Sequence, residues 1–185
     1  SPAGGYDSVS TVNMDFLNLG LDMSEEMQMR LLSVAAPFAP MDGMNERGLC
    51  VAVLMIQDSP AFNQDTEKPD LTTTTAVRLM LDRAADVEEA VELLSRYDMH
   101  ASAGMMVHFA LSDAAGHSVV VEYIDNEMVV TETPVVTNYY LSPGEKYGIG
   151  TEESKIRYAM LEDMLQNGSS FSMDEIRDGL DRVSK

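Results

Sequence analysis

Two polar side chains of this sequence stand where the surrounding pattern does not account for them. Asn138 is the lone amide in residues 134–140, a run rich in β-branched and aromatic residues that disfavours asparagine. A carboxamide at this point can donate two hydrogen bonds towards a developing oxyanion, or it can cap the turn that follows. Arg157 stands near the start of a predicted helix, where the helix dipole disfavours cations. It is therefore aimed at an anionic group or is solvated at the surface.

The other residue types with chemical potential are interpreted as structural. Cys50, the only cysteine, lies between apolar residues of a predicted strand, which indicates a buried and inert thiol. His100, His108 and His117 fall on a predicted loop, strand and turn, with no second ligand at metal-binding spacing. The sequence has no nucleophile elbow, phosphate-binding loop or zinc-hydrolase motif. We therefore expect no metal and no cofactor.

A strand predicted over residues 49–56 is the central element of the chain. It follows a turn at residues 45–48, which has Asn45 and Gly48 at its ends and charged residues between them. The strand is apolar throughout, as expected for a strand that is covered on both faces. The remaining elements should form the layers that cover it, and an active site should lie at its ends.

Further elements are predicted on both sides of this hairpin. A strand over residues 8–16 and a helix between residues 24 and 37 come before it. A long loop at 57–71 comes after it and leads into two helices, the first introduced by the threonines at 72–75 and the second capped by Asp86. The two helices should form one layer.

The second half of the chain repeats the order of strands and then helices. Two helices end the chain, the first stopped at Asn167-Gly168-Ser169 and the second opened by a capping box of Ser172 and Glu175. This order predicts a single domain over residues 1–185, of the α+β class, with helices on the outer faces of sheets. The predicted strands before these helices form a meander over residues 105–111, 117–124, 127–133 and 135–140.

The composition excludes several classes of partner. Lys and Arg number 12 against 31 Asp and Glu, which gives a net charge of −19. So acidic a chain should repel nucleic acids and anionic membrane surfaces. No apolar run approaches the length needed to span a membrane, and one cysteine cannot form an internal disulfide. We expect a cytoplasmic protein, with secretion as the alternative.

Five stretches of the sequence resemble the choloylglycine hydrolase family, and most closely its linear amide C–N hydrolase branch, which is related to penicillin V acylases and bile salt hydrolases. The first, Asp-Gly-Met-Asn-Glu-Arg-Gly-Leu, is fairly specific, whereas the others are specific in order and spacing. The resemblance implies a bacterial, homo-oligomeric N-terminal-nucleophile hydrolase with an αββα sandwich. In such enzymes an N-terminal cysteine attacks an amide, and its own α-amine, with a pKa of about 8, serves as the base. The stretches are residues 42–49, 72–81, 119–123, 136–138 and 146–151.

The resemblance also implies roles for individual residues. Asn138 matches the asparagine whose side chain helps to form the oxyanion hole. Met55 falls where some relatives have asparagine and others tyrosine, so only its backbone N–H could complete that hole. Arg157 resembles the late active-site arginine of the family, with Lys155 as the alternative if the helix start shifts.

The nucleophile of the family has no counterpart in this sequence. Cys50 aligns with an interior strand position, so we expect the chain to be the interior portion of a longer enzyme, with a sandwich truncated at both ends and an upstream segment that carries the cysteine. The expected reaction is hydrolysis of linear, non-peptide amides of N-acylated small molecules, such as a conjugated bile salt or a phenoxyacetyl amide. A non-catalytic binding or assembly fragment, and Ser1 as N-terminal nucleophile, are the alternatives.

Overall fold

The computed structural model describes residues 3–13, 34–168 and 170–184. The strands are β1 (Ser8–Thr11), β2 (Asp42–Asn45), β3 (Cys50–Met55), β4 (Asp70–Thr72), β5 (Asp98–His100), β6 (Val107–Ser112), β7 (Ser118–Ile124) and β8 (Glu127–Glu132). The α-helices are α1 (Thr73–Arg83), α2 (Val87–Leu94), α3 (Glu152–Gln166) and α4 (Met173–Val183), and short 3-10 turns cover Ala36–Phe38 and Ser102–Gly104. Six strands form one antiparallel sheet in the order β1-β2-β3-β6-β7-β8, while β4 and β5 form a parallel pair.

One buried asparagine anchors the hairpin that joins β2 to β3. Asn45 Nδ2 donates to the carbonyl oxygens of Leu81 at 3.1 Å and Ala84 at 2.8 Å, where α1 ends. Its Oδ1 accepts from the backbone N–H of Leu49 at 3.1 Å. Gly48 closes the turn at a φ of +90°, which glycine adopts most readily. The predicted turn is confirmed, and it is fixed to the C-terminal end of α1 because buried polar groups need partners.

The two helices α1 and α2 cover one face of the large sheet. Thr72 caps α1 by accepting from the N–H of Thr75, and the predicted cap of α2, Asp86, accepts from the N–H of Glu89. Burial of apolar surface between this layer and the sheet is the main stabilising contribution. The buried side chains in this contact include Val51, Phe109, Leu111, Val119 and Val121 of the sheet and Val77, Met80, Leu81, Ala90 and Leu94 of the helices.

The opposite face of the sheet is covered at one end only. Near β2 and the start of β3 it borders a groove of about 620 Å³, whose lining includes Cys50, Ala52, Leu54 and Ala110. The prediction that the central strand is covered on both faces is therefore wrong for the described residues. Among those residues one large sheet carries one helix layer, and a second large sheet of the expected sandwich is not present.

The segment 134–142 covers the other end of this face, and it is not the fourth meander strand that the sequence predicts. Its backbone pairs only locally, through an isolated bridge between Tyr139 and Gly150 and hydrogen bonds of Tyr140 with Gly148 and Ile149. Side chains of the sheet take up its backbone polar groups instead: His108 contacts the carbonyl oxygen of Thr137 at 2.8 Å. A strand-like composition gives irregular backbone here because side-chain hydrogen bonds replace the strand ladder.

Several further predictions are corrected or fall outside the described ranges. The loop over 57–71 is partly ordered by Asp98, whose carboxylate accepts from the N–H of Thr66 at 2.6 Å, and it ends in β4. His100 lies on β5 and not in a loop. The first strand is confirmed over Ser8–Thr11. The rest of that predicted strand beyond residue 13, and the helix from Ser24 as far as residue 33, lie outside the described residues.

The last two helices contact each other and leave apolar side chains on the surface. The stop at Asn167 and the capping box of Ser172 and Glu175 are both confirmed. No helix within the described ranges is long and apolar enough to cross a bilayer. Exposed apolar side chains of this pair are Ile156, Met160, Met173, Ile176 and Leu180.

Candidate active site

The candidate site lies where β3 ends, because the side chain of Asn138 reaches this strand. Asn138 Nδ2 donates to the carbonyl oxygen of Met55 at 2.8 Å. The neighbouring Ile56 N–H donates to Met106 beside β6, so the polar groups of Met55 point away from β6. In an extended strand the N–H and C=O of one residue point to the same side. The N–H of Met55 therefore faces the same side as the Asn138 carboxamide.

The guanidinium of Arg157 fixes the orientation of this carboxamide. Arg157 Nη2 donates to Asn138 Oδ1 at 3.0 Å and to Ser154 Oγ at 3.0 Å. The carbonyl oxygen of the amide thus faces the cation, and its NH2 group faces the strand. An amide nitrogen carries two hydrogens, and only one of them is used by the bond to Met55 within the described residues. The other is available to an acceptor.

The helix that carries Arg157 is tied to the segment that carries Asn138. The side chain of Thr151 caps α3 through the N–H of Ser154, and Ser154 is fully buried. Thr137 Oγ1 donates to the carbonyl oxygen of Ser154 at 2.9 Å. These contacts hold the arginine and the amide in one rigid group. The contact with Met55 shows that the Asn138 side chain does not serve as a cap for the following turn.

A buried, hydrogen-bonded pair of a histidine and a glutamate lies on the sheet beneath this segment. His108 Nδ1 and Glu122 Oε1 are 2.8 Å apart, and both side chains are fully buried. Burial alone would raise the pKa of Glu122, but hydrogen bonds from His108 and from the N–H groups of Leu141 and Ser142 outweigh it, so the pKa lies below its usual value. The structural interpretation of His108 is confirmed.

Sequence reasoning did not single out Glu122. The available signal was an acidic residue inside an apolar strand, between Val121 and Tyr123. Carboxylates are almost never fully buried unless they have a partner. An acidic residue inside a strand that is otherwise apolar therefore indicates that another part of the chain supplies a hydrogen-bond donor to it.

An ion pair joins the two loops beside the site. Lys146 Nζ contacts Asp58 Oδ2 at 2.8 Å, and it links the loop after β3 to the loop at 141–150. Burial would raise the pKa of Asp58, but the hydrogen bond from Lys146 lowers it below the usual value. Tyr140 N–H donates to the carbonyl oxygen of Ile149 at 3.0 Å. The two loops are thus fixed relative to each other.

Two cavities flank the end of β3. Leu54 and Val136 belong to the lining of the groove on the open face. On the helix-covered side, Val53 and Val107 belong to the lining of a smaller cavity of about 160 Å³, next to the N-terminal end of α1. Met55 follows Val53 and Leu54 on β3, and the residue is 45% exposed. The candidate site therefore stands between the two cavities.

Other candidates do not join this group. Cys50 is five positions from Met55 along β3, roughly 17 Å at about 3.3 Å per residue. It is partly exposed and lines the groove, so the prediction that its thiol is buried is wrong. Lys155 pairs with Glu152 at 2.7 Å and does not contact the amide in the described structure. Ser1 lies outside the described residues. No three metal-binding side chains cluster anywhere in the described ranges.

Comparisons with known proteins agree with this architecture. The chain is 32% identical over 99 residues to penicillin V acylase of Pectobacterium atrosepticum, an alignment that covers 48% of this chain and 26% of that protein. A variant of the conjugated bile acid hydrolase of Clostridium perfringens superposes with a TM-score of 0.60 at 19% identity, over 78% of this chain and 59% of that one. Penicillin V acylase of Agrobacterium tumefaciens gives a TM-score of 0.51 at 26% identity, over 80% and 52% respectively.

These neighbours confirm the predicted α+β fold of the N-terminal-nucleophile hydrolase type. The chain spans 26% of the curated relative and 52% to 59% of the structural neighbours. A family model described as linear amide C–N hydrolases, choloylglycine hydrolase family, matches residues 27–143, well over half of the sequence. The chain therefore belongs to the choloylglycine hydrolase family of linear amide C–N hydrolases.

Proposed function

We propose that this chain supplies the oxyanion-stabilising part of an enzyme that hydrolyses linear amides of N-acylated small molecules. The observation that carries the proposal is the Asn138 carboxamide, held between the Met55 carbonyl oxygen and the Arg157 guanidinium with one N–H left to donate. Preorganised donors stabilise negative charge as it develops on the substrate oxygen, without reorganisation during the reaction.

In this proposal Arg157 acts through the amide that it contacts. A cation bonded to Oδ1 polarises the carboxamide and makes its N–H a stronger donor. The backbone N–H of Met55, which faces the same side, is the second donor. Together they would bind the oxygen of the tetrahedral intermediate.

The nucleophile in this proposal is a cysteine that the 185 residues do not contain. Cys50, the only cysteine, lies too far along β3 to attack a carbonyl group bound at Asn138. The sulfur of an N-terminal cysteine would attack the amide carbon, and its α-amine would take the thiol proton and deliver it to the departing amine. Water would then hydrolyse the thioester to release a carboxylate.

The smaller cavity favours a compact acyl group. Its volume is about 160 Å³ and its lining includes Pro40, Met41, Val53, Met105 and Val107. Apolar protein cavities of about 150 Å³ hold one benzene ring. A phenoxyacetyl group therefore fits this site better than a steroid acyl group, so penicillin V is the proposed class of substrate ahead of a conjugated bile acid.

The experiment extends the chain by the residues encoded immediately before Ser1 and measures hydrolysis of penicillin V and of a conjugated bile acid. We expect penicillin V to be cleaved faster and a thiol-specific reagent to label an N-terminal cysteine. Asn138→Ala should lower kcat by about 10²–10³-fold, as loss of one oxyanion donor does in other hydrolases.

The matched control is Asn167→Ala, which removes a carboxamide that caps the far end of α3 and should leave kcat unchanged. Full turnover in Asn138→Ala would contradict the oxyanion role. Absence of hydrolysis in every form would favour the non-catalytic alternative. Activity of the 185 residues alone that disappears when the amino terminus is blocked would instead identify Ser1 as the nucleophile.

A further inference from the structure

The buried His108–Glu122 pair makes contacts that its role in the core does not require. The two residues lie one step beyond the cross-strand pair Phe109–Val121, on the face of the sheet that α1 and α2 do not cover. An apolar pair would fill this space without the cost of burying charge. The contacts of the pair instead reach outwards, to the segment 134–142.

The pair holds this segment in its middle and at its C-terminal end. His108 Nε2 is 2.8 Å from the carbonyl oxygen of Thr137, the residue directly before Asn138. Glu122 Oε2 accepts from the N–H of Ser142 at 2.7 Å, and Oε1 accepts from the N–H of Leu141 at 3.0 Å. The segment has no strand ladder of its own, so these bonds replace the backbone pairing that would otherwise fix it.

We propose that His108 and Glu122 are positioning residues that hold the carboxamide of Asn138 in the candidate oxyanion site. Within the described sheet, only His108 contacts the carbonyl oxygen of Thr137, the residue before Asn138. The side chain of Asn138 crosses from this anchored backbone to β3, where it contacts Met55. The inference rests on the proposed function for its catalytic meaning. The positioning itself is a property of the folded chain and can be measured without substrate.

The contact with Thr137 defines which ring nitrogen of His108 must carry a hydrogen. Nε2 lies 2.8 Å from the carbonyl oxygen of Thr137, and a carbonyl oxygen has no hydrogen to give, so Nε2 must donate. The N–H that anchors the segment is therefore the one on Nε2.

The test measures hydrogen exchange of the Asn138 side-chain amide by NMR in two variants of the same position. Asparagine retains a nitrogen near the place of Nδ1, and glutamine retains one near the place of Nε2. We expect His108→Asn, which loses the bond to Thr137, to speed exchange at Asn138 by about tenfold or more. His108→Gln keeps a donor for Thr137 and should rescue most of the protection.

Leu111→Ala is the control, because it removes apolar packing from the helix-covered face of the same strand and none of the hydrogen bonds from His108 and Glu122 to the segment 134–142. It should leave exchange at Asn138 unchanged after correction for global stability. Equal exchange in His108→Asn and Leu111→Ala would overturn the proposal.

Two further measurements cover the case in which His108→Asn does not fold. Glu122→Gln should also speed exchange at Asn138, and the unmodified chain should show a slowly exchanging N–H on Nε2 of His108. A ring without a hydrogen on Nε2, or unchanged exchange in a folded Glu122→Gln, would overturn the proposal. These measurements use no substrate. The positioning proposal can therefore fail while amide hydrolysis is found, and it can hold while amide hydrolysis is absent.

Discussion

The two faces of the central sheet are built on different physical principles. The face towards α1 and α2 is apolar, with Val51, Phe109 and Leu111 packed against the helices. The other face has an open groove at one end and the fully buried His108–Glu122 pair at the other. Apolar packing supplies stability through buried area, without direction. A buried polar pair supplies direction, because each of its hydrogen bonds has a required geometry.

This difference explains why the candidate site lies on the polar side. An oxyanion site needs donors held to a fraction of an ångström, and apolar contacts alone do not fix an amide that closely. The contacts from His108 and Glu122 fix the backbone around Asn138, and Arg157 fixes its side chain. The helix-covered face holds the sheet together so that these contacts can form.

The largest expected effect comes from breaking the polar pair. Glu122→Ala leaves the His108 ring and the N–H groups of Leu141 and Ser142 buried without an acceptor. We expect a loss of about 3–5 kcal/mol in the free energy of unfolding, measured with urea. Leu111→Ala should cost about 2–5 kcal/mol through the cavity it leaves.

The two variants should differ in their effect on the structure of the segment 134–142. Glu122→Ala should shift the NMR signals of the segment 134–142, including the Asn138 amide, whereas Leu111→Ala should not. A loss below about 1 kcal/mol in Glu122→Ala would show that the pair is not an essential anchor and would remove the contrast between the two faces.

A smaller effect is expected from pH. The folded pKa of Glu122 lies below its unfolded value of 4.5. A carboxylate of this kind stabilises the fold fully above the unfolded pKa, and the stabilisation is lost as the pH falls through the folded pKa. We therefore expect the difference in unfolding free energy between the unmodified chain and Glu122→Gln to shrink as the pH falls below about 4.5. A difference that does not change between about pH 5 and pH 3 would contradict the ionised state of Glu122.

The sequence predicted the helix-covered face better than the polar one, for a physical reason. Caps, turns and apolar periodicity are local signals, so the turn at Asn45, the helix after the threonines at 72–75, the cap Asp86 and the capping box at Ser172 could all be predicted. The segment 135–140 has the composition of a strand, but its backbone is bonded to side chains far away in the sequence. Composition does not report such contacts, so the strand prediction failed there.

The candidate site shows the same division. Asn138, Met55 and Arg157 were chosen from an unusual amide, an unusual cation and a family resemblance, and the structure brings all three within hydrogen-bonding distance. Their mutual geometry was not predictable, and neither was the use of the Met55 carbonyl oxygen as an acceptor. Glu122 was missed because its partner, His108, lies on a different strand.

The most direct test of the account is the affinity of this chain for phenoxyacetate, the carboxylate product of penicillin V cleavage, measured by NMR titration. We expect saturable shifts at the Asn138 side-chain amide and the Met55 N–H. The dissociation constant should rise by about tenfold or more in Asn138→Ala, since a hydrogen bond to a charged group is lost, and should not change in Asn167→Ala. Equal affinity in all three proteins, or shifts confined to residues away from the end of β3, would contradict the assignment of this site.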